Sequence, residues 1–222
     1  MTVYVEAVHT VKPLTNTAFD AYVAWYGEYV IPAMHRAKFG LMGAWKRTGG
    51  PMGQDVLLLR FDDLSSYTEA GLALRADKKF LEGYSQMAGK FVITESTKLC
   101  APVPYADEAR LEKQLGQKPE KPRQYMQAQL IISPGGQPKF YEAVGKLAAL
   151  TDAGDFLNLV AAYETTIGQR GEATDIWVMP RGLTSIAYRA GDPLAELMVD
   201  LRAAAPEEST YYLNPLPYSP LQ

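Results

Sequence analysis

Cysteine and histidine are scarce in this sequence: its 222 residues include one cysteine, Cys100, and two histidines, His9 and His35. An intrachain disulfide therefore cannot form. Zinc sites made of four cysteines, of two cysteines with two histidines, or of three histidines cannot be assembled within one chain either. Long apolar runs are missing as well, and none approaches the roughly 20 residues that span a bilayer. The opening Met1-Thr2-Val3-Tyr4-Val5-Glu6 shows neither the basic nor the apolar region of a signal peptide, so the expected location is the cytoplasm, with no membrane partner. Basic blocks are absent too. With 22 Lys+Arg against 25 Asp+Glu, a formal charge of −3 and a pI near 5.5, a surface built for nucleic-acid phosphates is not expected. What is abundant is core material: 47% hydrophobic residues and 14 tyrosines, the composition of a soluble globular protein.

The sequence also contains itself twice. Glu95-Ser-Thr-Lys-Leu-Cys-Ala-Pro102-Val-Pro104-Tyr105 returns as Glu208-Ser-Thr-Tyr-Tyr-Leu-Asn-Pro215-Leu-Pro217-Tyr218. Trp45-Lys-Arg-Thr48-Gly-Gly50-Pro-Met-Gly53 matches Tyr163-Glu-Thr-Thr166-Ile-Gly168-Gln-Arg-Gly171, and Tyr4-Val-Glu6-Ala7 matches Tyr125-Met-Gln127-Ala128. Asp77 stands opposite Asp192. Four matches in one order indicate a duplication. The charged, proline-containing stretch 106–123 reads as a linker with room for a short helix in its first half, which leaves units at 1–105 and 124–222.

Each unit parses alike. In the first, residues 3–10 alternate as a strand, and Thr17-x-x-Asp20 caps a helix with the stripe Phe19, Val23, Tyr26, Val30. Residues 40–48 and 55–61 form a hairpin. Ser66-x-x-Glu69 opens a second helix that breaks near Asp77, and 91–99 is the last strand. In the second unit, Asp192-Pro193 starts a helix with the stripe Leu194, Leu197, Met198, Leu201. The order β-α-β-β-α-β is a ferredoxin-like α+β unit.

On these residues each half resembles the dimeric α+β barrel superfamily, and its NIPSNAP-type branch in particular. The resemblance is carried by Tyr4-Val-Glu6-Ala, by the stretch from Gly40 to Leu64 with Trp45 and Asp63-Leu64, and by Arg75-Ala-Asp77-Lys-Lys-Phe80-Leu-x-x-Tyr84, where Lys78 replaces a more usual proline. It implies two tandem ferredoxin-like units whose antiparallel sheets pack face to face as a pseudo-two-fold α+β barrel. A homodimer is compatible with that family. It also implies a range of activities: cofactor-independent monooxygenases, isomerases, cyclases and haem enzymes.

Alternation sorts the strand faces. Met126, Ala128, Leu130 and Ile132 suit a helix-covered face, so Tyr125, Gln127 and Gln129 point the other way. By the repeat, Tyr4, Glu6 and Val8 face a cavity between the sheets, and His9 falls on the helix side as a structural histidine. Asp55, Leu57, Asp175 and Trp177 are expected to point inward, with Val56 and Leu58 towards the helices. Trp45 and Tyr163 are expected to line the same space.

Three residues carry the expected chemistry. Glu6, enclosed on an apolar face, can act as general acid or base, or pair with Arg47 or Arg60 instead. His35 and Tyr26 belong to segments absent from the second copy, where a single active site is expected. His35 at a helix end also suits the dipole, and it is the histidine placed to be a haem ligand. Glu95 and Glu208, present in both copies, read as strand-closing residues. Gly49–Gly53 reads as a hairpin turn and Cys100 as an inert thiol. The expected function is therefore a cofactor-independent, metal-free enzyme. It would perform isomerase, lyase, cyclase or monooxygenase-like chemistry on an apolar or aromatic ligand between the sheets. The alternative is a non-catalytic ligand-binding or assembly module.

Overall fold

In the computed structural model, which describes residues 1–87, 90–117, 119–154, 157–180 and 193–222, the chain forms two units. The first is residues 1–99 with 215–222, and the second is residues 100–214. The first contains β1 (Val3–Lys12), α1 (Asn16–Trp25), α2 (Ile31–Arg36), β2 (Gly40–Thr48), β3 (Gln54–Phe61), α3 (Leu64–Ala76) and α4 (Lys78–Met87). It ends with β4 (Val92–Pro102), whose last residues count with the second unit. A π-helical turn, Tyr26–Val30, joins α1 to α2. The strand order is β4-β1-β3-β2, and the β1–β3 and β2–β3 pairs are antiparallel.

Helix starts differ by a few residues from the sequence expectation. Thr15, not Thr17, caps α1, accepting from the Ala18 amide at 3.1 Å. Asp63 caps α3, and its carboxylate accepts from both the amide and the hydroxyl of Ser66, so Ser66 lies inside the first turn. The break falls where expected. Asp77 adopts extended backbone between α3 and α4, and its side chain accepts from the Phe80 amide. Phe19, Tyr26 and Val30 are buried in the core, as the stripe requires, together with fully buried Tyr22.

The β2–β3 hairpin turns through Gly49 and Gly53 at positive φ, which L side chains rarely adopt. The register slips between Leu41 and Gly43, and Trp45 lies across Gly43. A Cβ at Gly43 would stand 2.0 Å from the buried Trp45 ring. Gly43→Ala is therefore expected to cost about 1–3 kcal/mol or more, read as a lower urea midpoint with an unchanged slope.

The second unit repeats the plan with β5 (Gln124–Ile131), α6 (Gln137–Gly154), β6 (Asn158–Ile167), β7 (Glu172–Met179), α7 (Pro193–Ala204) and β8 (Glu207–Pro215) in the order β8-β5-β7-β6. It is preceded by α5 (Glu108–Leu115), the short helix expected in the linker, capped by Asp107. Leu201 and Met198 of α7 join the core, while the Asp192 cap lies outside the described residues. Each unit thus shows a mixed α+β build with antiparallel strand pairs.

One expectation about side-chain direction is overturned. Leu57 and Trp177 belong to the helix-side cores, with Phe19 and Tyr22 in one unit and Phe140 and Val144 in the other. Asp55 shares that side, because it bonds to Tyr22 of α1, and Asp175 bonds to Tyr105. The reason is register: Ala7 pairs with Leu57 and His9 with Asp55, and directly opposed residues share a sheet face. Val56 and Leu58 accordingly point away from the helices.

Candidate functional site

A cavity of about 650 Å³ lies in the first unit, on the helix side of its sheet. Val5, Ala7, Leu57 and Leu59 from the strands give it an apolar floor. Tyr26, Val30 and Met34 line it from the first helical segment, and Tyr67, Leu74 and Phe80 from α3 and α4. In the second unit the rings of Trp177, Phe140 and Tyr105 pack in the helix-side core. The π-turn opens at Tyr26 and closes at Val30, and both residues line the cavity.

The wall is polar where His9, Glu95 and Thr97 meet the cavity. His9 is buried, and its Nδ1 donates to Asp55 Oδ1 at 2.9 Å. Tyr22 donates its hydroxyl to Asp55 Oδ2 at 3.0 Å and stands 3.2 Å from the same imidazole nitrogen. On the other edge of the ring, His9 Nε2 lies 3.6 Å from Glu95 Oε2, and Thr97 donates to Glu95 Oε1 at 2.6 Å. Burial pulls the His9 pKa down, but the Asp55 carboxylate and then Glu95 outweigh it and raise it to about 10. The neighbouring His9 holds Glu95 down at about 2. Both shifts favour the charged pair, an imidazolium at His9 beside a carboxylate at Glu95. Tyr26, stacked on Tyr218, has its pKa pushed well up by burial and then by Asp55 and Glu95.

The structure does not bring the three expected catalytic residues together. Tyr26 lines the cavity. Glu6 is fully buried on the opposite face of β1, with Lys98 Nζ 3.4 Å from its Oε1. His35 is exposed near the end of α2. Of the expected lining residues in the first unit, Leu57 meets the cavity, while Tyr4 and Trp45 are buried on the other face. In the second unit Tyr125, Gln127 and Tyr163 are buried outside the helix-side core, which Trp177 joins.

His9, Asp55, Tyr22 and Glu95 are the residues that sequence reasoning passed over. The usable signal was pairing: with β1 and β3 antiparallel, His9 comes opposite Asp55 on the helix-covered face. Among the described residues no group of three or more His, Cys, Asp or Glu side chains is placed to hold a metal ion. None of the described helices is long and apolar enough to cross a membrane.

No curated protein matches the chain in sequence. Among solved structures, the chain is similar to a candidate monooxygenase from Fusobacterium nucleatum subsp. nucleatum ATCC 25586, at 9% identity and TM-score 0.64 over 97% of this chain and 92% of that one. It is similar to an anthrone oxidase-like protein at 11% identity and TM-score 0.61, over 100% and 94%. A candidate monooxygenase from Lactobacillus acidophilus NCFM aligns at 12% identity and TM-score 0.58, over 96% and 92%. At these identities the likeness is one of fold. In sequence, residues 4–107, which hold the cavity's helices and His9, Asp55 and Glu95, match the NIPSNAP family model.

Proposed function

We propose that the chain is a cofactor-independent small-molecule enzyme doing acid–base chemistry on an apolar or aromatic ligand in the helix-side cavity of its first unit. One observation carries the reading: a buried histidine, His9, hydrogen-bonded to Asp55 in the wall of an otherwise largely apolar cavity, a partner that favours its imidazolium. A fixed cation in a low-dielectric wall stabilises an oxyanion that develops on a ligand, such as an enolate or phenolate. Glu95 is the half-exposed member of the array and takes the proton. As the ligand oxygen becomes anionic it replaces Glu95 beside His9 Nε2. Glu95 loses the partner that kept it a weak base, and so accepts the proton more readily. Isomerisation, elimination and cyclisation follow from such an anion. So does reaction with dioxygen, which the fold likeness to candidate monooxygenases and an anthrone oxidase-like protein supports.

The test is anthrone in air-saturated buffer, which consumes one dioxygen to give anthraquinone and water, followed by absorbance. Turnover by the parent that is lost in Glu95→Gln and His9→Leu supports the enzyme. Saturable binding without turnover supports the second reading, a non-catalytic ligand-binding module. The doubly paired His9 favours that module to the extent that it holds the wall rather than reacts. Neither binding nor turnover sinks both for this ligand class. We also read the units as tandem copies, residues 1–105 and 124–222 around a 106–123 linker; their shared element order supports this.

A further inference from the structure

We propose that the ligand is an amphiphilic aromatic carboxylate whose carboxylate docks on Arg75 at the α3–α4 rim of the cavity; the proposal rests on the cavity being the ligand site. Thr68, Gly71, Leu72 and Arg75 all line the cavity, and their spacing of three and four residues sets them on one face of α3. Arg75 is exposed. The cavity's other charges, His9 and Glu95, lie against each other and leave Arg75 as the surplus cation of the lining.

The neighbours of Arg75 do not neutralise it. Three and four residues before and after it stand Leu72, Gly71, Lys78 and Lys79, so no carboxylate is at helical reach. Asp77, the nearest acid in the chain, is held at 2.7 Å by Arg36 and also caps α4. Glu69 accepts from Ser65. Among the described residues Arg75 makes no ion pair. Arg75 therefore adds an unpaired positive charge to the lining of a largely apolar cavity, and the ligand complementary to both is a ring system bearing a carboxylate. A guanidinium binds that group through two parallel N–H donors.

The experiment is calorimetric titration of the intact protein with two ring-matched probes, 2-naphthoate and 2-naphthol. The parent is expected to bind naphthoate more tightly, with the advantage falling as salt is raised. In Arg75→Gln the naphthoate affinity should drop about tenfold while that for naphthol holds, and Arg75→Lys should keep part of the difference. Naphthoate binding unchanged in Arg75→Gln would overturn the proposal, leaving Arg75 as a cation that merely complements the α3 C-terminus. Binding of naphthol but not naphthoate by the parent overturns it while sparing the cavity. A parent that takes neither probe removes the cavity reading and this inference together.

Discussion

Asp55→Asn is expected to lower stability by about 3–5 kcal/mol near neutral pH, because it strips a buried imidazolium of its principal partner. The pH dependence identifies the cause. His9 is raised from 6.5 to about 10 in the folded chain, so its contribution is complete below pH 6.5 and is lost as pH climbs through 10. Glu95 is lowered from 4.5 to about 2, so its contribution is present above pH 4.5 and is lost as pH falls towards 2. Both shifts draw partly on the same His9–Glu95 contact and do not add. The parent should therefore be most stable between pH 4.5 and 6.5 and decline on each side. In Asp55→Asn burial still pulls His9 down while its main support is gone, so the alkaline decline should shrink or vanish. Urea unfolding at about pH 6 and about pH 9 measures it. Equal parent stability at the two values would show that His9 is not held as a cation.

The second large effect separates stability from binding. Gly71 lies inside α3 and lines the cavity, and a Cβ there meets nothing within 4 Å. Gly71→Phe should gain about 0.5 kcal/mol, since glycine is among the poorest residues for a helix interior. The ring fills the space a ligand needs, so naphthol or naphthoate binding should weaken about ten- to a hundredfold, matching the 1–3 kcal/mol typical of overpacking. Thermal unfolding and calorimetric titration of one preparation give both numbers. A variant that melts higher and still binds as the parent does would place the ligand elsewhere.

How far the sequence was legible depended on whether each segment carried contrast. β1 could be phased because Met126, Ala128, Leu130 and Ile132 are uniformly apolar beside Tyr125 and Gln127. β3 could not, because Val56-Leu57-Leu58-Leu59 offers no alternation, and only pairing with Ala7 decides which leucines meet the helices. That one missing phase also hid the site. With Asp55 turned the wrong way, His9 looked like an inert counterpart of Leu130. The two form a buried pair across 46 residues of chain. Asymmetry between the copies pointed to Tyr26, which lines the cavity, and to His35, which is exposed. Asymmetry marks where the copies diverged, not where the helices leave room. Register matches the two units instead: Leu59, which lines the cavity, pairs with Leu41 just before a register slip, as Trp177 pairs with Leu159 in the second unit. The return of residues 215–222 to the first unit has no composition signal at all.

That tail carries a consequence for biosynthesis. Leu216 donates its amide to Ala44, Ala44 donates its own to the Ser219 hydroxyl, and Tyr218 lies on the cavity tyrosine Tyr26. A ribosome releases residues 1–99 early but must then make all of 100–214 before these groups exist. At roughly 5–20 residues per second that delay is of the order of ten seconds. Throughout it the nascent first unit holds an unfinished strand position at Ala44 and an uncovered aromatic wall. Residues 215–222 thus close a part of the fold made long before them, and the pocket can acquire its final shape only once they have been made.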